Sequence, residues 1–153
     1  MIGVEFLDGS RKMKKLYEAM AAQVCARWGL NQIETDILAF LHNHPRQDTA
    51  GDIVKLRMLQ KGNVSKAVER LLKQGYLERS QDEEDRRRIH LLLTSKAEEA
   101  VEQIEQVRSE YVKELFGDFS PQEKTAFYAL YRRIFENAAA GLERRSGQKA
   151  GKE

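Results

Sequence analysis

Cysteine is nearly absent: the chain of 153 residues has one, Cys25, which excludes a disulfide within the chain. A single thiol fits a reducing compartment. The N-terminal residues carry no basic stretch followed by an apolar core, which is the pattern that directs secretion. No apolar run approaches the roughly 18 residues of a membrane-spanning helix. The sequence therefore predicts a cytoplasmic protein without a membrane segment.

Proline and excess charge are scarce as well. Only Pro45 and Pro121 interrupt the chain, so long helices can run without a break. The formal net charge is +2, with 26 Lys and Arg residues against 24 Asp and Glu residues. Binding to a nucleic acid would therefore need a local basic patch, because the chain as a whole attracts phosphate only weakly.

Residues suited to catalysis or metal binding are also few. His42 and His44 are two positions apart and do not share one face of a helix, and His90 lies far along the chain. With one cysteine, no recognisable zinc-binding spacing is present. Glu83 and Glu84 lie in a charged stretch that we expect to be an exposed loop, where burial cannot tune a carboxylate for acid–base chemistry. We expect no enzyme activity, no metal site and no cofactor.

Helical periodicity dominates what is present. An apolar stripe at spacings of three and four predicts a long first helix that ends at Gly29. Asn31 and Glu34 then have the pattern of a capping box at the start of a second helix. Two shorter helices follow, one from residue 48 or 49 and one after residues 62–63. The period next changes to the alternation of a β-hairpin, and two more helices come after it. The pattern Ser120-Pro121-Gln122-Glu123 predicts the start of the last helix, with an N-cap and a proline at the first helical position.

The helix after residues 62–63 has the composition of a DNA-reading helix. Its apolar residues share one face, while the other face carries short polar side chains near the start and cations along its length. Such side chains reach base edges and neutralise phosphates. The candidate DNA-binding residues here are Lys61, Asn63, Ser65, Lys66, Arg70 and Lys73.

The stretch DEEDRRRIHLLLT, at residues 82–94, joins a charged cluster to an alternating apolar run. The alternation predicts a strand, and the arginines before it would occupy the tip of a hairpin. An arginine at such a tip can enter a DNA minor groove, where narrow A·T-rich sequence concentrates negative potential. From residue 52 to residue 88 the chain holds ten Lys and Arg residues against seven Asp and Glu residues. The candidate residues of this wing are Arg86, Arg87 and Arg88.

The order of elements predicts a mainly α protein, a winged helix-turn-helix with a small β-hairpin as the wing and long helices at both ends. Four segments follow: an N-terminal dimerisation helix at 1–30, a DNA-binding lobe at 31–94, C-terminal dimerisation helices at 95–142 and a disordered tail at 143–153. The terminal helices carry more apolar surface than one small lobe can bury, so we expect a homodimer. A helical protein-interaction module that binds no DNA is the alternative, but it leaves the wing arginines unexplained.

Residues 85–94, DRRRIHLLLT, resemble the wing motif of the MarR family of transcriptional regulators, in which Asp-x-Arg precedes an apolar alternation ending in Leu-Thr. Residues 64–77, VSKAVERLLKQGYL, resemble the recognition helix of that family and the turn into its wing. The order and length of the helices are similar over about residues 10–140. The resemblance implies a sequence-specific regulator, a repressor, that binds double-stranded DNA as a homodimer.

The resemblance also implies roles for single residues. Arg87 would be the arginine that enters the minor groove, and Asp85 would orient arginine side chains at the wing. Members of the family bind small aromatic acids between the dimer helices and the DNA-binding lobe, which implies a small aromatic effector. Some relatives carry one cysteine in the first helix as a peroxide sensor, so Cys25 is a candidate redox sensor. A packed, unreactive thiol is the other interpretation of Cys25.

Overall fold

Six helices and one hairpin form the part of the chain that the computed structural model describes, namely the backbone of residues 2–150 and the side chains of residues 2–146. In chain order the elements are α1 (Ile2–Trp28), α2 (Gln32–Asn43), α3 (Ala50–Arg57), α4 (Lys61–Lys73), β1 (Leu77–Gln81), β2 (Ile89–Leu93), α5 (Ser95–Phe116) and α6 (Pro121–Ala150). The chain divides into two units after Tyr111. The predicted fold class, a mainly α winged helix-turn-helix, is confirmed.

The junction between α1 and α2 follows the predicted caps. Gly29 ends α1 with a φ of 63°, in the left-handed region where the absence of a Cβ removes the steric penalty. The side chain of Asn31 accepts a hydrogen bond from the N–H of Glu34 at 2.9 Å. The Glu34 carboxylate in turn accepts from the N–H of Asn31 at 2.9 Å. This capping box satisfies backbone donors that the first turn of α2 would otherwise leave unpaired.

The helices α3 and α4 form the helix-turn-helix. Thr49 caps α3 in a second capping box with Asp52. Met58 ends α3 with a φ of 52°, which is uncommon for a residue with a side chain. We predicted that the next helix follows residues 62–63, whereas α4 begins at Lys61. A glycine inside a helix costs only about 1 kcal/mol relative to alanine, which the burial of Val64, Ala67 and Val68 on the same helix offsets.

The hairpin is fixed to the helix-turn-helix by its second strand. The strands pair antiparallel, with Arg79 of β1 opposite Leu91 of β2. Leu91 is buried while its neighbour Leu92 is exposed, as the alternation predicts. The N–H of Leu91 donates to the carbonyl of Asp48 at 2.8 Å, so the segment that precedes α3 lies along the outer edge of β2.

The core of the first unit is shared by the helix-turn-helix, the hairpin and α5. Side chains with no exposed surface come from three successive helices, namely Ile37 and Leu38 of α2, Ile53 of α3 and Leu71 of α4. The start of α5 adds Ala97, Ala100 and Val101. Full burial of one such large aliphatic side chain contributes about 1.5–3 kcal/mol. The core therefore holds α4 firmly against α2 and α3, which leaves the opposite face of α4 for other contacts.

The second unit contains the end of α5 and all of α6. Ser120 accepts from the N–H of Glu123 at 3.2 Å and Glu123 accepts from the N–H of Ser120 at 2.7 Å, which confirms the predicted start of the last helix. Aromatic rings contact one another from the end of α5 into α6; they are Phe116, Phe119, Phe127, Tyr128, Tyr131 and Phe135. Leu130 stays 59% exposed and Phe135 54% exposed, so apolar surface remains uncovered on this helix.

The C-terminal end differs from the prediction of a disordered tail at 143–153. The helix α6 continues to Ala150, and residues 151–153 lie outside the described residues. The three residues that follow residue 142, Glu143, Arg144 and Arg145, are good helix formers, and no proline comes after them. The side chain of Arg145 also donates to the carbonyl of Gly141 at 2.9 Å, one turn back.

Candidate nucleic-acid interface

The two faces of α4 differ sharply. Its inner face is buried through Val64, Ala67, Val68 and Leu71. No side chain caps its N-terminus, since Gln60 makes no side-chain cap. All six residues predicted to bind DNA lie on exposed positions of this helix, namely Lys61, Asn63, Ser65, Lys66, Arg70 and Lys73.

Arg70 is set apart from the other five by an ion pair inside the protein. Its Nε lies 3.2 Å from Oε1 of Glu34, whose side chain is fully buried. The other carboxylate oxygen of Glu34 accepts from the N–H of Asn31 in the capping box. The guanidinium of Arg70 therefore neutralises a buried carboxylate of α2, and a buried charge without a partner is costly.

A second ion pair joins α4 to the hairpin. Arg79 of β1 donates to the carboxylate of Glu69 on the outer side of α4. Beside this pair, Ala50, Ser65 and Ile89 line a groove between α4, the start of α3 and β2. The shared core, with this exposed pair beside it, packs the hairpin against α4.

The wing loop, residues 82–88, is organised by Asp82. Its Oδ1 accepts from the N–H groups of Glu84 and Asp85, both at 2.8 Å, and its own N–H donates to the carbonyl of Arg88 at 3.0 Å. The N–H of Asp85, the ring of His90 and the N–H of Glu84 lower the pKa of Asp82 to about 2. Asp82 is therefore ionised at neutral pH and shapes the loop as an acceptor.

The predicted wing residues all lie in this loop. Arg86, Arg87 and Arg88 are exposed, and among the side chains that the structure describes none of the three is in a direct ion pair. Asp85 was predicted to orient arginine side chains. Its Oδ1 instead accepts from the backbone N–H of Arg87 at 3.0 Å, while its carbonyl accepts from the N–H of Arg88 at 2.8 Å. Asp85 thus acts on the backbone that carries the arginines.

His90 connects the wing loop to the helix-turn-helix, and the sequence reasoning missed this. Its Nδ1 lies 2.7 Å from Oδ1 of Asp48, and its Nε2 lies 2.9 Å from Oδ2 of Asp82. Hydrogen bonds to Asp48 and then Asp82 raise the pKa of His90 above its ordinary value. The position of His90 in an alternating strand indicates only which face it shares. The proximity of Asp48, 42 residues earlier in the chain, has no local sequence signal.

Cys25 lies on α1 and is partly buried. Burial raises the pKa of its thiol above the ordinary value, and the carboxylates of Asp36 and Glu34 act in the same direction, against a hydrogen bond with Thr35. The thiolate is the reactive form of cysteine, so this environment does not favour a peroxide sensor. The predicted redox role of Cys25 therefore finds no support in its surroundings.

An apolar crevice lies between α1, α2 and α5, where the resemblance implies an effector site. It is lined by Tyr17, Ala21, Val24, Thr35, Ile104 and Val107, and it is too narrow to hold a water molecule. Two polar contacts join α5 to α1: Nε of Arg108 donates to the hydroxyl of Tyr17 at 3.3 Å, and the hydroxyl of Tyr111 donates to the carbonyl of Met13 at 3.1 Å.

Within residues 2–150, no helix has the length and apolar character needed to cross a membrane. In the same part of the chain, no three His, Cys, Asp or Glu side chains are grouped as ligands for a metal ion. Both α4 and the wing loop group polar and cationic side chains on an exposed surface.

Known proteins share this architecture. A sequence model of the MarR family matches residues 28–88. The HTH-type transcriptional regulator PecS of Dickeya dadantii is 26% identical over 125 residues, which cover 80% of this chain and 75% of PecS. The crystal structure of MarR is similar with a TM-score of 0.67 and 26% identity, over 88% of this chain and 98% of MarR. A MepR–DNA complex from S. aureus is similar with a TM-score of 0.74 and 20% identity, over 90% and 96% of the two chains.

Proposed function

The chain belongs to the MarR family of helix-turn-helix transcriptional regulators, and we propose that it represses transcription by binding a pseudo-palindromic operator as a homodimer. One observation carries the proposal. The exposed polar face of α4 and three exposed wing arginines belong to one lobe, in which an ion pair joins α4 to the hairpin. In winged helix-turn-helix proteins a helix of this kind reads the major groove.

The chemistry of α4 suits that role. Ser65 and Asn63 are short and lie near the start of the helix, where they can reach base edges or phosphates. The uncapped N-terminus of α4 adds backbone N–H groups and the positive end of the helix dipole, which attract a phosphate. Lys61, Lys66 and Lys73 then neutralise phosphates along the groove.

The wing supplies a second contact. Arg87 would enter the adjacent minor groove, with Arg86 and Arg88 on the flanking phosphates. The exposure of all three side chains supports this assignment. The similarity in fold to MepR, whose structure was determined with DNA, supports the same placement of helix and wing.

A homodimer accounts for the symmetry of the proposed operator. Two copies of α4 would enter successive major grooves about 34 Å apart. Apolar surface that one protomer leaves exposed supports dimerisation in each unit separately: Phe6 and Leu7 are exposed on α1, and Leu130 and Phe135 on α6. Burying such surface between two copies would be favourable.

A small aromatic acid is the effector that we propose for release from DNA. Its site would be the crevice between α1, α2 and α5, whose lining is largely apolar. Because the crevice is too narrow to hold a water molecule, a ligand bound there would have to widen it by displacing one of these helices. Such a movement would change the distance between the two copies of α4, and DNA affinity would fall. Aromatic acids that leave the affinity unchanged would favour constitutive repression.

Selection of duplexes from a random-sequence pool tests the proposed function. The protein should enrich a sequence with two inverted half-sites, whose centres are about 10–10.5 base pairs apart or a multiple of that distance. A single unrepeated half-site would contradict the homodimer. Failure to enrich any sequence would contradict specific DNA binding and leave the protein-interaction module as the better account.

A further inference from the structure

Resting on the proposed DNA binding, we propose that protonated His90, held between Asp48 and Asp82, is a positioning residue that sets the wing loop so that Arg87 can reach DNA. The group of three side chains, Asp48, His90 and Asp82, is called the wing clamp below. It joins three separate parts of the fold: the segment before α3, the strand β2 and the wing loop.

Hydrogen bonds run from the clamp to Arg87 without a break. His90 holds Oδ2 of Asp82 at 2.9 Å, and Oδ1 of the same carboxylate accepts from the N–H groups of Glu84 and Asp85 at 2.8 Å each. The side chain of Asp85 then accepts from the N–H of Arg87 at 3.0 Å. The backbone direction at Arg87 is therefore coupled to the ring of His90 through two carboxylates.

The clamp needs both ring nitrogens of His90 to carry hydrogen. A carboxylate accepts and cannot donate when ionised, and both nitrogens face a carboxylate oxygen. Neutral imidazole has one N–H, so it can bond only one of the two and turns a lone pair toward the other. Only the imidazolium cation satisfies Asp48 and Asp82 together.

The charged groups that face the ring of His90 favour its imidazolium form. Asp48 faces it from the segment before α3 and Asp82 faces it from the wing loop, while Ser80, its partner across the hairpin, is neutral. Both carboxylates raise the pKa of His90. A raised pKa in the folded protein means that the clamp is intact at low pH and is lost as pH rises through that pKa. DNA affinity should fall over the same range of pH.

The protonation of His90 can be measured without DNA. Nitrogen-15 NMR of the full chain should show both ring nitrogens of His90 protonated at pH 6, with a titration above the value of about 6.5 for a free histidine. The His90→Gln variant assigns the signal. In parallel, amide exchange at Glu84 and Asp85 should quicken as His90 loses its proton, beyond the general effect of pH on other amides. Titration of His90 at or below about 6.5 would overturn the clamp.

The second experiment measures binding to the duplex selected from the random-sequence pool. Asp82→Asn is the sharper variant, because the amide oxygen of asparagine can still accept from Glu84 and Asp85 while its NH₂ group cannot accept from His90. At pH 6 this variant and His90→Gln should bind about fivefold more weakly than the natural protein, the low end of the loss of one base contact. Both should also lose most of the dependence of affinity on pH.

The control is His42→Gln, an exposed histidine on α2 that lies outside the clamp. It should keep the affinity and pH profile of the natural protein. If the profiles of His90→Gln and the natural protein superimpose, the positioning role of His90 is refuted even when the NMR titration is as expected. If the clamp is intact by NMR and no duplex binds at any pH, the proposed function fails, and the role of His90 in DNA binding fails with it.

Discussion

Arg70 of α4 pairs with the fully buried carboxylate of Glu34, at 3.2 Å between Nε and Oε1. The same carboxylate caps α2. One acidic side chain thus ties the start of α2 to the helix that we propose reads DNA. Arg70 has the spacing of a DNA contact in the sequence, yet its charge already has a partner inside the protein.

Replacement of Arg70 by methionine should therefore reduce stability more than it changes the electrostatics of DNA binding. The variant leaves the buried carboxylate of Glu34 without its cation, which should lower the free energy of unfolding by about 1–3 kcal/mol. Urea denaturation measures this change. The salt dependence of DNA affinity should stay the same, because no phosphate contact is lost.

Lys66→Met is the matched control on the same helix. Lys66 is exposed and we propose that it contacts phosphate, so its loss should change stability by no more than about 0.5 kcal/mol. The slope of log affinity against log salt should become shallower by about 0.9 for each phosphate contact removed. A larger change of slope for Arg70→Met than for Lys66→Met would show that Arg70 contacts DNA directly.

Arg87→Ala tests the wing. Loss of its contact with the minor groove should weaken binding to the selected duplex by about 1–3 kcal/mol, measured by fluorescence anisotropy. Glu83→Gln serves as the comparison, because it changes an exposed acid of the same loop without removing a cation. It should bind at least as well as the natural protein. Equal affinities for Arg87→Ala and the natural protein would remove Arg87 from the interface.

Cys25 should behave as a packed thiol. Its raised pKa keeps it protonated at pH 7, so alkylation by iodoacetamide should be slower there than that of a free cysteine. Dilute peroxide should leave DNA affinity unchanged, and Cys25→Ala should respond no differently. Release of DNA by peroxide in the natural protein, but not in the alanine variant, would restore the redox-sensor interpretation.

The exposed apolar surface of α6 predicts an effect on assembly. Leu130→Glu places a charge on a side chain that is 59% exposed in the protomer and that we propose is covered in the dimer. Sedimentation velocity should show a shift from dimer toward monomer, since burial of an unpaired charge is unfavourable. Glu136→Gln, on the same helix, should leave the dimer intact. A Leu130→Glu variant that remains fully dimeric would exclude this part of α6 from the interface.

Local sequence signals predicted much of the fold. The cap at Asn31, the glycine end of α1 and the start of α6 each depend on a few neighbouring residues, and all three are confirmed. The position where α6 ends was not predictable. A charged segment without apolar periodicity is typical of a disordered tail, but glutamate, lysine and arginine are also good helix formers.

The candidate site was predictable in its composition but not in its internal contacts. The residues of α4 and the wing can be read from spacing, since each group lies on one short segment. The pairing of Arg70 with Glu34 joins positions 36 residues apart, and the clamp joins Asp48 to His90 across 42 residues. Such contacts arise from packing of the core, so no local pattern in the sequence specifies them.

The salt dependence of binding to the selected duplex tests DNA recognition most directly. The proposed phosphate contacts of two protomers predict a linear fall of log affinity with log salt, with a slope of about −0.9 for each phosphate contact. The selected duplex should also bind at least about a thousandfold more tightly than an unrelated one at the same salt concentration. Affinity that is independent of salt, or equal for both duplexes, would contradict a sequence-specific DNA-binding regulator.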